Sequence, residues 1–141
     1  SGGVNIRPED ALKHVYGYAV GIDMTRRDLQ AEMKQMRRPW EIGKAFEHSA
    51  PIGAIARASR IGHPDSGPVE LRVNDEIRQQ GDLNQMIWKI PEMIGYLSEY
   101  FEIGAGDLIM TGTPAGVGPV VPGDVIQASV QGIGEITVQV V

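Results

Sequence analysis

Residues 16–53 read YGYAVGIDMTRRDLQAEMKQMRRPWEIGKAFEHSAPIG, and the fold turns on how this stretch divides. Tyr16 to Asp23 is apolar apart from glycines and one terminal acid, the pattern of a strand buried on both faces. Thr25 can cap a helix in which Leu29, Met33 and Met36 recur at helical spacing, which makes the methionines core residues. Pro39 ends that helix, since proline cannot continue it and drives its predecessor towards extended geometry. An acid at a strand end, followed by Thr25, Arg26, Arg27, Asp28 and Gln30 and then by Lys44, suits a hard metal ion that holds an anionic substrate. Six of the 13 Lys and Arg (Arg26, Arg27, Lys34, Arg37, Arg38, Lys44) fall in this stretch, although the net charge is −5. The competing reading is that Asp23 caps the helix and the basic residues are its solvated face, because helix starts favour carboxylates and helix ends favour cations. Spacing alone does not separate the two.

Outward from this stretch, Ser1 to Asn5 reads as a loop, and Pro8, Glu9 and Asp10 start a short helix over Pro8–His14. Pro51 to Ala58 reads as a second strand and His63 to Pro68 as a turn cluster. Val69, Leu71 and Val73 alternate with polar residues, Asn74-Asp75 turns, and Glu76 to Gln80 returns, predicting a hairpin with one wet face. Pro91 opens a third helix with Ile90, Ile94, Leu97 and Phe101 on its apolar side, ended by Gly104 and Gly106. Asp107–Met110, Val125–Val130 and Ile136–Val141 read as strands, with turns at Pro122-Gly123-Asp124 and Gly132-Ile133-Gly134. Short strands mixed with three helices, without regular alternation, predict an α+β domain built mainly on antiparallel or mixed sheet.

Length and composition agree with one domain: 141 residues, 42% hydrophobic and 22% charged, with 18 glycines and nine prolines for turns. The acidic balance argues against a general nucleic-acid or membrane surface, and no apolar run approaches the ~20 residues that span a bilayer. The absence of cysteine excludes a disulfide framework and a thiolate site, and fits a cytoplasmic location. His14, His48 and His63 make no metal cluster, and no Gly-x-Ser-x-Gly supports a serine hydrolase. Residues 111–118, TGTPAGVG, lack the Gly-Lys-Ser/Thr ending of a phosphate-binding loop. They read either as a structural turn or as a tight loop whose backbone N–H groups and Thr111 and Thr113 hydroxyls meet a small ligand.

The segments GYAVGIDMTRRDLQ, RRPWEIGKAFEHSAPIG, VNDEIRQQGDLNQMIW and LIMTGTPAGVGPVVPGDVI, in this order along the whole chain, resemble the fumarylacetoacetate hydrolase family. The likeness is to its small bacterial acylpyruvate and fumarylpyruvate hydrolases in particular. The resemblance implies a mixed β-sheet roll of the family's C-terminal domain type, a homodimer, and a Mg²⁺ or Mn²⁺ ion held by a Glu-x-Glu pair and a later aspartate. It implies cleavage of a carbon–carbon bond in a small anionic 1,3-dicarbonyl acid, with fumarylpyruvate giving fumarate and pyruvate. By position, Asp23 matches the third metal ligand, and Arg27 and Gln30 match polar residues that face substrate. Lys44 in W-x-x-G-K matches a lysine that contacts the ligand, and Thr113 in TGTP matches a threonine that holds the substrate's carboxylate end. Lys44 and Gln30 are the expected catalytic residues, with Arg27, Gln30, Lys44 and Thr113 binding substrate. The family's Glu-x-Glu pair, and a histidine–glutamate dyad that activates water, lie upstream of the position where this chain starts, and neither occurs in these residues. The expectation is a single catalytic domain over residues 1–141 lacking its N-terminal portion, with uncovered strand edges compensated by dimerisation. Family hydratases, isomerases and oxaloacetate decarboxylases, or a non-catalytic oligomerisation module, are the alternatives.

Overall fold

The computed structural model describes all residues from Ser1 to Val141. Two hydrophobic clusters organise it. The larger lies under a four-stranded antiparallel sheet of order β4-β3-β5-β6, made of β3 (Pro68–Val73), β4 (Glu76–Asp82), β5 (Val125–Val130) and β6 (Gly134–Gln139). Val73, Ile126 and Ala128 of this sheet bury against Val20 and Ile22 from the stretch that ends on Asp23. The smaller cluster joins Ile6, Ala11 and Ile94, where α1 (Pro8–Ala11) meets the long helix α5 (Ile90–Tyr100). Gly95 permits that approach, because a Cβ there would sit 3.2 Å from the Pro8 ring.

The hairpin forms as predicted, and Asn74 and Asp75 both take the left-handed conformation (φ 50° and 67°) that matches a tight two-residue turn to the strand twist. β5 forms over the expected residues and β6 two residues earlier than expected, at Gly134–Gln139, with Gly132 turning the chain at φ 76°.

Several local expectations are corrected. Tyr16–Asp23 is not a strand buried on both faces. Only β1 (Gly17–Tyr18) pairs, with β2 (Ala56–Arg57), plus one bridge between Gly21 and Ile52, and burial alternates inward at Val20 and Ile22 and outward at Gly21 and Asp23. The strand expected over Pro51–Ala58 shrinks accordingly, because α4 (Ala58–Ile61) starts directly after β2. Asp107–Met110 joins no ladder; Ile109 packs on the small cluster and the Met110 side chain lies over Gly21. Helix α2 (Arg27–Met36) is capped by Arg26 without any side-chain hydrogen bond, so neither Thr25 nor Asp23 is its cap. Of the two methionines expected in the core only Met33 is buried, Met36 being exposed at the end of α2. Phe101 lies beyond the end of α5, largely exposed, and a further one-turn helix, α3 (Glu41–Lys44), follows Pro39.

Candidate active site

Asp23 leaves the core on the outward side of an alternating segment. The Ile22 N–H donates to the Pro51 carbonyl and the Met24 N–H to that of Ser49, which fixes the backbone on both sides of the acid. The carboxylate is half exposed at the mouth of an open cleft of about 680 Å³, lined by Asp23, Trp40, Lys44, Ser49 and Met110 among others.

Lys44 reaches this carboxylate from α3. The Arg26 N–H donates to the Gly43 carbonyl at 2.9 Å, tying α3 to the start of α2. Gly43 is buried there, and a Cβ on it would meet the Gln30 nitrogen at 3.0 Å and the Arg26 carbonyl oxygen at 3.2 Å. Only a residue without a side chain lets α3 sit this close, and the ammonium of the next residue then falls 2.6 Å from Asp23 Oδ1 and 2.8 Å from Thr25 Oγ1. Thr25 is therefore a second acceptor for Lys44. Two cation–π contacts fasten the same region, Arg26 over Phe46 at 4.3 Å and Lys34 over Trp40 at 5.5 Å. The basic cluster is thus partly structural, and its members are not simply a solvated face.

The other expected residues stand apart from this cleft. Arg27 donates to Gln30 Oε1 at 3.0 Å, one turn along α2, and this pair does not line the cleft. Thr113 does not line it either. Its hydroxyl accepts from Gln79 Nε2 at 2.7 Å, across on β4. The structure therefore joins Asp23 to Lys44, and Arg27 to Gln30, and holds Thr113 separately. Sequence reasoning missed Thr25, Gly43 and Gln79. The W-x-x-G-K spacing was the available signal for Gly43, and nothing in the local pattern marked Gln79.

Asp23 is a sound oxygen ligand for a hard divalent cation, with an ammonium beside it to balance an anionic substrate. No group of three His, Cys, Asp or Glu side chains comes together to hold a metal ion. These residues fit such an ion as one ligand and do not make a complete protein site.

Comparison with known proteins places the whole chain in one family. The family model for the fumarylacetoacetate (FAA) hydrolase C-terminal region matches residues 2–141. A fumarylpyruvate hydrolase of a Ralstonia species is 41% identical over 138 residues, covering 98% of this chain and 71% of the relative. A mitochondrial oxaloacetate tautomerase of Oryza sativa subsp. japonica is 44% identical over 126 residues, covering 89% of this chain and 56% of the relative. The structure of a Pseudomonas aeruginosa fumarylpyruvate hydrolase in complex with Mn²⁺ and pyruvate superposes with a TM-score of 0.98 at 52% identity, over 100% of this chain and 60% of that one. The chain spans less than two thirds of the length of these last two relatives. With a match running from residue 2 to its last residue, it belongs to the fumarylacetoacetate hydrolase family.

Proposed function

We propose that this chain is the substrate-holding part of a metal-dependent hydrolase that cleaves an acylpyruvate, with fumarylpyruvate giving fumarate and pyruvate. The observation that carries the reading is the Lys44 ammonium held between Asp23 and Thr25 at the mouth of the cleft. It gains weight from the Mn²⁺ and pyruvate bound by the similar Pseudomonas enzyme. On this reading the working protein is a homodimer with residues beyond these 141 that complete the metal site and supply the base for water. Asp23 is one ligand of Mg²⁺ or Mn²⁺; the ion, when bound, supplies Lewis acidity at the substrate's oxygens. Lys44 orients the anionic substrate and offsets charge that develops on the leaving pyruvate fragment, the work of a preorganised donor. Gln30 and Arg27 brace one another at i and i+3 and present a guanidinium to a carboxylate of the substrate. Thr113 holds that substrate's carboxylate end through its hydroxyl.

A second reading follows from the oxaloacetate tautomerase relative, at an identity similar to that of the hydrolase relative. The same donors would then hold a 2-oxo dicarboxylate while a proton moves between its oxygen and carbon. One comparison separates the two. The complete protein, with Mn²⁺, is assayed for pyruvate release from fumarylpyruvate and for the enol-to-keto conversion of oxaloacetate. Faster turnover of fumarylpyruvate is expected; turnover of oxaloacetate without pyruvate release would replace the hydrolase by the tautomerase.

A further inference from the structure

Gln79 is a buried polar residue, 8% exposed, on the edge strand β4. Its Nε2 lies 2.7 Å from Thr113 Oγ1 and 2.6 Å from the Pro114 carbonyl oxygen. We propose that Gln79 is a positioning residue that commits the Thr113 hydroxyl to donating its proton to the carboxylate of a 2-oxo acid. The inference rests on the proposed function only in taking Thr113 to face the substrate.

The donor logic is strict. A carbonyl oxygen can only accept, so the amide nitrogen of Gln79 must face Pro114, and this fixes which way round the amide sits. Its two N–H groups are then both used, one on Pro114 and one on Thr113. Thr113 Oγ1 is thereby an acceptor, and its own proton has no role towards Gln79. That proton points to whatever lies on the open side, because Thr113 is exposed. A hydroxyl that accepts an N–H is polarised into a better donor, which favours an anionic acceptor over water. Loop and strand are shaped for this contact. The ladder between β3 and β4 shifts between Leu71 and Arg72, so that Gln79 opposes Leu71, Ile77 opposes Arg72, and Arg78 is left without a partner. In a regular strand Ile77 and Gln79 would share a face; the bulge turns Gln79 inward and leaves Ile77 out. The 111–118 loop then seats on the bulged strand. A Cβ on Gly116 would overlap the Arg78 carbonyl oxygen, and one on Gly81 would come within 3.0 Å of the Pro114 ring.

The test is a double-mutant cycle between Gln79→Glu and Thr113→Val in the complete protein, reading pyruvate Kd by calorimetry with Mn²⁺ present, together with Tm. Glutamate keeps the size of glutamine but only accepts, so it draws the Thr113 proton inward. Gln79→Glu is expected to weaken pyruvate about tenfold or more, as loss of a hydrogen bond to a charged group does. In the Thr113→Val background the same change should alter Kd less than about threefold while lowering Tm as it does in the wild type. Equal weakening in both backgrounds, or none in either, would overturn the proposal. Gln79→Met, which keeps the length without donors, runs the same cycle if the glutamate variant does not fold. Should Thr113→Val leave pyruvate affinity unchanged while Asp23→Ala abolishes it, the inference and the role proposed for Thr113 fail, and the metal-dependent hydrolase reading built on Asp23 and Lys44 stands. If the wild-type protein does not bind pyruvate at all, both fall.

Discussion

At Lys44 the contribution to stability and the proposed role in substrate binding can be separated by experiment. Its ion pair with Asp23 is well formed, but the two side chains are 31% and 49% exposed. Pairs of that exposure contribute about 0–1 kcal/mol. Lys44→Met should therefore leave Tm close to that of the wild type while lowering kcat/KM of the complete protein by about 10²–10³, the usual effect of removing one preorganised donor. A near-normal kcat/KM would make the lysine structural. Ser98 behaves in the opposite way. Its hydroxyl accepts from the Ile6 N–H at 2.8 Å and donates to the Gly95 carbonyl, inside the contact between α1 and α5. Ser98→Ala strands the buried Ile6 N–H and should cost about 1–3 kcal/mol in urea unfolding without changing substrate KM. An unchanged unfolding midpoint would mean that the amide finds water. At this scale the sequence was partly legible. An acid at a strand end and a lysine after a tryptophan could be picked out by type, but Thr25 read as a cap because a threonine before a helix usually is one. Its actual partner, Lys44, lies nineteen residues away, and no local rule reports such a contact.

Elements were legible where a pattern was long enough to carry a period. The hairpin, the last two strands and α5 are six or more residues each; alternation found the hairpin, helical recurrence found α5, and glycine turns marked off the last two strands. α3 and α4 are single turns of four residues, too short for any periodicity, and the bulge at Arg78 changes facing without changing composition. α3 nevertheless sets the contact of Lys44 with Asp23 and Thr25, through Gly43. Gly43→Ala should push α3 from the start of α2, costing about 1–3 kcal/mol as overpacking does, and should lower kcat/KM although Lys44 is intact. Activity at wild-type level would show that the backbone yields without moving the lysine. A second link between elements makes a prediction in pH. Asp124 accepts from the Val121 N–H and from the Asn74 side chain, and Asn74 Oδ1 accepts from the Val125 N–H, so the turn of the hairpin is clasped to the start of β5. The Val121 N–H first, and then the Asn74 amide, hold the Asp124 carboxyl below its usual range. A carboxyl with a lowered folded-state pKa stabilises the fold fully above the unfolded aspartate value of about 3.9 and loses that contribution as pH falls through its lower folded value. The Tm difference between wild type and Asp124→Ala should therefore be largest near neutrality and shrink below about pH 4. A difference independent of pH would assign the clasp to packing.

The whole molecule exposes more surface than its mass explains. A folded monomer of 15.3 kDa is expected to present about 7,100 Å². This chain presents 9,644 Å², and only 13 of its 141 residues are buried. The excess of roughly 2,500 Å² is of the size that an obligate interface covers. Its apolar part is easy to find. Ile87, Trp88, Tyr96, Tyr100 and Phe101 are all about half exposed or more, and the ring of Tyr96 on α5 meets that of Trp88 edge-on and that of Tyr100 at a tilt, so the three form a continuous aromatic row. Ile77 and Leu108 add to it elsewhere. Composition could not report this, because hydrophobic content counts residues and says nothing of which ones find neighbours. Burial of so few side chains leaves little to offset the conformational entropy of ordering the chain. The 141-residue polypeptide, expressed alone, should either associate at micromolar concentration or unfold at low urea. Sedimentation velocity across a concentration series, with urea titration of the same samples, decides this. A mass that rises with concentration above 15.3 kDa, and a midpoint that rises with it, is expected. A monodisperse 15.3 kDa species with a steep, concentration-independent unfolding transition would show that the two small clusters suffice without a covering surface.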